Sequence, residues 1–299
     1  MNFFKKSIIA GKEFVLHIGY SFLWWWPVWF YIVNREGRKL YALIKSDTTD
    51  VEKRIIRDLK ENGIAFTHID ELFTGQNLFP GLVAYAKDSR TNAVVAAKKK
   101  FLLDLWERDP ILDLNHPFLK LTLNKKVFRI VSGYFDCLPK FFYYLLNVAL
   151  PVPPGQEAVQ SQRWHRDPED KRMCKMFLYL NDVDEGTGPF TYVTKSQYGG
   201  KWRSIVPQKP PHGSYPPAEV VAERIPQSDI RVATARAGTI IFCDTSGIHK
   251  GGYATQKERI MFTAGFNTRA SQWGVQFRYP ENFLKVSPDD RVLHYIVGK

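Results

Sequence analysis

His165 and Asp167 stand two residues apart in Trp164-His-Arg-Asp167, so on an extended strand both side chains point the same way. An imidazole and a carboxylate on one face can hold two positions of a metal ion. A third ligand must come from elsewhere, and His249 is placed to supply it, six residues after Cys243, the end of the apolar run that begins at Gly238. Two His and one carboxylate, with positions left open, form the ligand set that holds Fe(II) for oxygen chemistry. Ten residues on, Arg259 opens another apolar run, Arg-Ile-Met-Phe-Thr-Ala-Gly-Phe266. A guanidinium there can grip a carboxylate through two parallel hydrogen bonds.

Each residue also has a plainer reading. His165 would serve as a satisfied polar residue at a strand end, and Arg259 as a solvated or ion-paired strand-end charge. The conjunction argues for chemistry: triplet, strand, Gly-flanked His, then Arg at the start of the next strand. Two rival meanings of His-Arg-Asp fail. A kinase catalytic loop needs Asn five residues after the Asp, where this chain has Arg172, and there is no Gly-rich phosphate loop or Asp-Phe-Gly. A structural zinc site needs Cys or His in close pairs, but Cys137, Cys174 and Cys243 lie far apart.

Stepping outward, short strands, Pro/Gly turns and a preceding helical block imply a mainly β chain with α elements: a jelly-roll β-sandwich buttressed by N-terminal helices. A helix is expected over Val51 to Asn62, capped by Asp50 and ended by Gly63. Ile64 to Ile69 reads as a strand and Tyr41 to Lys45 as a short strand or loop. Leu82 to Glu107 reads as a long helix, broken near Ser89, with Lys98-Lys-Lys100 on its wet side. Helical segments follow from His116 to Leu123 and from Val127 to Phe135, then a buried strand to Leu150. On the strand Arg172 to Leu180, Lys175, Phe177 and Tyr179 share one face and Cys174, Met176 and Leu178 the other. Gly238–Asp244 and Arg259–Asn267 are expected to pair and close a barrel. Between them and the Phe190–Thr194 strand, 197–232 reads as a long structureless insertion of the kind that forms lids, its Lys201, Arg203, Lys209 and Tyr215 facing an anionic substrate. Residues 271–299 would cover the barrel or mediate a dimer.

At the chemistry-bearing residues the chain resembles the phytanoyl-CoA dioxygenase family of Fe(II)/2-oxoglutarate oxygenases: His165-Arg-Asp167, His249 and Arg259 come in that order. Gly188-Pro-Phe-Thr-Tyr-Val-Thr-Lys-Ser196 is similar to the family's Gly-Pro-then-"PGSH" segment, Gly238 to Asp244 to its strand before the second His, and Glu61-Asn-Gly-Ile-Ala-Phe66 to its opening strand. The likeness covers roughly residues 50 to 270. It implies a double-stranded β-helix in which His165, Asp167 and His249 bind Fe(II), and 2-oxoglutarate and O2 take the open positions, with the distal carboxylate of 2-oxoglutarate on Arg259. It also implies hydroxylation, because the halogenating relatives lack the carboxylate that Asp167 supplies. By position, Trp164 and Thr191 join Arg259 as cofactor-side residues. The chain departs from the family at Gly251, where a Ser often helps the co-substrate, and at Gln197, where the "PGSH" segment ends in His.

The chain has 299 residues, 44% hydrophobic and 14% aromatic, enough for a substantial core. Three unpaired Cys fit a reducing, cytoplasmic setting, which also suits Fe(II). A net charge of +12 would steer an anionic or lipid-linked substrate. Nucleic acid is disfavoured, because no basic helix with interleaved aromatics occurs. Phe14 to Val33 carries no formal charge and is long enough to cross a bilayer, with Lys5, Lys6 and Lys12 before it and Arg35, Arg38 and Lys39 after. Four Trp and Pro27 lie mid-segment, which suits an interfacial anchor better than a span; an aromatic element packed on the protein itself is the equal alternative. The organisation expected is therefore an N-terminal aromatic segment, 1–40, and a jelly-roll domain, 41–299. Two other classes fit the same residues: a non-enzymatic jelly-roll module binding acidic glycans or lipid head groups, and a membrane-anchored scaffold.

Overall fold

The computed structural model describes residues 15–16, 18–45, 48–95, 101–107, 109–153, 155–281, 283 and 290–298. The expected basic run at 98–100 and the lysines before residue 15 lie outside them.

Two antiparallel sheets make the jelly roll. The larger runs in the order β1-β8-β5-β10-β4-β3-β2, with β1 Ile64–His68, β2 Val94–Val95, β3 Leu102–Asp104, β4 Lys140–Ala149, β5 Cys174–Tyr179, β8 Thr239–Cys243 and β10 Arg259–Asn267. The smaller runs β7-β6-β9, with β6 Thr191–Val193, β7 Ile230–Val232 and β9 His249–Lys250. They face each other without closing into a barrel. The pairing expected between β8 and β10 does not occur, because β5 lies between them, with Phe177 opposite Ile241 on one side and Thr263 on the other. Both partners are apolar strands, and nothing local in either one distinguishes adjacency from one strand's separation.

The period of two decides the layers. Cys174, Met176 and Leu178 of β5, with Phe262 and Ala264 of β10 and Leu146 and Val148 of β4, face the helices and form the main core. Phe177 and Tyr179 face the small sheet and pack with Phe190, Tyr192 and Ile241. Helices α1 (Arg35–Ile44), α2 (Asp50–Asn62) and α6 (Lys125–Phe135) cover the outer face along with α5 (Pro117–Thr122). Thr49, rather than the expected Asp50, caps α2 in a reciprocal box with Glu52; Gly63, at φ 75°, ends it in the left-handed conformation. The fully buried Glu52 also takes two hydrogen bonds from Arg129, at 3.0 and 2.7 Å, pinning α2 to α6.

Three other expectations are corrected. Tyr41 to Ile44 belongs to α1, an amphipathic helix. After the short α3 (Ile69–Leu72), the long helix ends at Ser89 as α4 (Phe79–Ser89), and β2 and β3 follow. The β-branched pair Val94-Val95 favours the pleated surface once β3 and β4 are there to extend. The 197–232 insertion is not structureless: it contains α7 (Ala218–Arg224) and β7. The tail does cover the large sheet, through α8 (Arg291–Val297), whose Tyr295, Ile296 and Val297 are buried.

The aromatic segment packs on the domain. Trp29 is fully buried, and its Nε1 donates to Asp170 Oδ1 at 3.1 Å. Trp26 stacks on Tyr198, and the Lys171 ammonium donates to the Trp24 carbonyl. Among the described residues, no helix is long and apolar enough to cross a membrane.

Candidate metal centre

His165 reaches its position without a long strand. Its backbone pairs with His249 by two bonds, N–H to carbonyl at 2.8 and 2.9 Å, while Asp167 N–H donates to the Thr245 carbonyl at 3.0 Å. Two distant stretches of chain are thus brought side by side at the backbone before any side chain is considered. The turn into β9 is held by Asp244, whose buried carboxylate accepts Ser246 N–H at 2.9 Å and Met173 N–H at 3.2 Å, as well as the Tyr134 hydroxyl.

The three predicted ligands converge. His165 Nε2 lies 3.7 Å from Asp167 Oδ1, and His249 Nε2 lies 3.6 Å from Asp167 Oδ2. One donor atom from each falls within 4.8 Å of the others. The imidazoles are oriented by backbone: His165 Nδ1 contacts the Arg163 carbonyl at 2.8 Å, and His249 Nδ1 the Gly247 carbonyl at 3.0 Å. A carbonyl only accepts, so each Nδ1 carries the proton and each Nε2 turns a lone pair toward Asp167. Burial, with His165 beside it, pushes the His249 imidazole well below its usual pKa, so it is the neutral, ligating form.

Burial alone would raise the Asp167 carboxyl, but the Lys175 ammonium beside it outweighs burial and holds it ionised. Lys175 Nζ donates to Asp167 Oδ2 at 2.6 Å. Burial disfavours the ammonium, yet Asp167 more than compensates and keeps Lys175 charged. The strand's alternation puts Lys175 on one face with Phe177 and Tyr179 but gives it no role. A lysine on the inward side of an otherwise apolar strand was the available signal.

The triad shares a cavity of about 160 Å³ with Lys175 and Arg259, walled by Phe177, Phe190, Leu145 and Met261. Arg259 begins β10 and is 4% exposed; one Nη donates to the Gly188 carbonyl, and Nε is buried with no hydrogen-bond partner among the described residues. Such an orphaned donor costs about 1–3 kcal/mol, a cost that an entering acceptor would remove. Gly252 makes this geometry possible, because a Cβ there would lie 1.4 Å from the Gly188 carbonyl oxygen and 2.7 Å from the Arg259 Nη1.

Trp164 and Thr191 do not line this cavity. Trp164 packs with Val193, Val221 and Ile248 beneath the 197–232 segment, with the Lys250 ammonium over its ring. Thr191 lines a neighbouring cleft of about 540 Å³ with Lys250 and Gly251. Gly251 itself borders the triad cavity, so the missing serine hydroxyl is missing from its wall. Gln197 faces away, its amide donating to the Lys60 carbonyl at 3.3 Å.

Arg166, between the two ligands, is buried and does structural work. Its guanidinium donates to the carbonyls of Ser196, Trp202, Arg203, Ile205, Val206 and Ser246, at 2.6 to 3.2 Å. The expected lid is therefore clamped along 196–206, and Lys201, Arg203 and Lys209 do not line the cavity. Tyr215 comes nearest, its ring 6.0 Å from that of His165. No sequence signal marked Arg166, because its partners are all backbone carbonyls.

No family model matches this chain, and no curated sequence matches it. Solved structures do. The epimerase SnoN, crystallised with Fe3+, α-ketoglutarate and nogalamycin RO, is 13% identical over 73% of this chain and 84% of its own, with a TM-score of 0.54. HygX from Streptomyces hygroscopicus, with nickel and 2-oxoglutarate bound, is 12% identical over 77% of this chain and 90% of its own, with a TM-score of 0.50. At these identities the likeness establishes the fold.

Proposed function

We propose that this chain is an Fe(II)- and 2-oxoglutarate-dependent oxygenase that hydroxylates a small or lipid-linked substrate. The observation that carries the reading is one cavity holding three oriented metal ligands and a buried arginine with an orphaned Nε–H. Two imidazoles and a carboxylate match the donor set of a non-haem iron site with positions left open. The arginine matches the far carboxylate of a keto-diacid. The fold shared with SnoN and HygX, which carry iron or nickel and the keto acid in their crystals, supports the same reading.

His165 and His249 would present Nε2 to the metal, and their Nδ1–H···O=C bonds fix that tautomer. Asp167 would complete the set, with Lys175 anchoring one of its oxygens and stopping the carboxylate from rotating. Arg259 would hold the co-substrate's distal carboxylate through the donor it leaves unpaired. Phe177, Phe190, Leu145 and Met261 exclude water and offer an apolar wall to a substrate C–H bond. When bound, the iron and the keto acid supply the O2 activation that a side chain cannot. Within the oxygenases, the order His165-x-Asp167, His249, Arg259 and the flanking Gly-Pro segment favour the phytanoyl-CoA dioxygenase family.

The test is an anaerobic titration with Fe(II) and 2-oxoglutarate, followed by O2 with succinate measured. Binding of both, then succinate release that His165→Ala abolishes, is the expected result. A protein that binds neither, or a His165→Ala variant with unchanged turnover, ends the proposal.

A further inference from the structure

The described residues between Val15 and Ile32 have two apolar faces, and the other described residues cover only one. Tyr20, Val28 and Trp29 are buried against the domain, and Asn34 ties the end of the segment down by donating to the Trp29 carbonyl at 2.8 Å and to Thr268 Oγ1 at 3.2 Å. On the other side, Val15 (69% exposed), Ile18 (52%) and Phe22 (60%) follow one another at spacings of three and four, the interval of a single helical face, and Trp25 (61%) stands at the bend that ends it. Tyr31 (56%) and Ile32 (67%) continue the exposed set. A surface helix would ordinarily place polar residues there, and large apolar side chains exposed together in one stretch mark an interaction site.

The charge beside the stripe says what it meets. Arg38 lies over the Phe30 and Tyr31 rings, at 4.1 and 5.1 Å, and Arg35 and Lys39 are exposed on the helix that follows. In the sequence, Lys5, Lys6 and Lys12 precede the stripe, and Glu13 and Glu36 are the only acids before Asp47. Aromatic and branched apolar side chains flanked by cations match an anionic lipid surface, where rings settle at the head-group level and cations meet lipid phosphate. A second protein copy would need acids to meet these cations, and the stripe's own neighbourhood has almost none.

We infer that residues 15–39 form an interfacial docking surface for an anionic bilayer: the stripe lies on the membrane while its opposite face stays packed on the domain. This differs from a spanning anchor, because Trp29, Asn34 and the Lys171–Trp24 contact hold the segment against the protein. It does not depend on the metal site.

The experiment is co-sedimentation of the full-length protein with sucrose-loaded vesicles of phosphatidylcholine, with and without phosphatidylglycerol. The protein should pellet with the anionic vesicles. The combined variant Phe22→Ser, Trp25→Ser, Ile32→Ser should lose at least about tenfold in vesicle affinity while its circular dichroism and melting temperature stay as in the parent, since these side chains are exposed. Arg35→Glu with Lys39→Glu should weaken the anionic binding by about fivefold per charge and leave the neutral vesicles unaffected. Failure to pellet with either vesicle overturns the inference, as does a serine variant that binds like the parent. A dimer in analytical ultracentrifugation that the serine variant abolishes, without vesicle binding, would assign the stripe to a second copy instead.

Discussion

Two buried aspartates three residues apart, Asp167 and Asp170, have opposite fates. Asp170 is fully buried, and donors fill both its oxygens: Trp29 Nε1 at 3.1 Å and Lys171 N at 2.6 Å on Oδ1, and Thr268 N and Oγ1, both at 2.7 Å, on Oδ2. Its donors are neutral dipoles, and burial outweighs them, so its carboxyl is raised. Asp167 is nearly as deep but, among the described residues, has a single hydrogen-bonding side chain, the charged Lys175, with the two imidazole Nε2 atoms at 3.6 and 3.7 Å; its carboxyl is lowered. Depth alone therefore does not mark a functional acid. The mark is unused bonding capacity facing a cavity, together with a charge that keeps the group ionised.

The comparison breaks first at the metal. Asp167→Ala should remove Fe(II) binding and succinate formation altogether while the far-ultraviolet spectrum persists; isothermal titration with Fe(II) under anaerobic conditions checks this, and retained stoichiometric binding would refute it. Asp170→Ala should do the reverse. It strands Trp29 Nε1 and the Thr268 donors, so urea unfolding should show a loss of about 3 kcal/mol, with Fe(II) affinity of the folded fraction unchanged. An Asp170→Ala variant that loses metal but not stability would erase the distinction.

Arg259→Met sharpens the picture at the far end of the cavity. Loss of a buried charge-assisted pair predicts an increase of about a hundredfold in the 2-oxoglutarate concentration needed for half-maximal turnover, with metal affinity intact. Lys175→Met should lower Fe(II) affinity by about tenfold, the scale of losing a partner that orients a ligand, with Lys175→Arg recovering part of it. The smallest effect belongs to the saturated side: Trp29→Phe removes one donor to Asp170 and should cost about 1 kcal/mol in unfolding.

The triad was legible because its signal is chemical and local. His165 and Asp167 share a strand face at a spacing of two, and His249 and Arg259 each adjoin an apolar strand. Alternation groups Lys175 with Phe177 and Tyr179, yet neither the direction of that face nor its partner could be read, since Asp167 approaches it across a turn. Trp164 illustrates the reverse error: adjacency in sequence to His165 suggested a shared pocket, but neighbouring side chains on extended chain point to opposite sides. The 82–107 stretch read as helix because Val94-Val95 and Leu102-Leu103 only become strand when β4 offers an edge.

What the sequence determined by itself, then, is which groups could do chemistry and which faces of a strand or helix are apolar, since these follow from side-chain type and short-range period. Only the tertiary structure decided that β5 separates β8 from β10, that Arg166 gathers six carbonyls instead of a ligand, and that an orphaned Arg259 Nε shares a cavity with the triad. Those facts depend on which backbone groups remain unpaired once the sheets have met, and no local pattern encodes that.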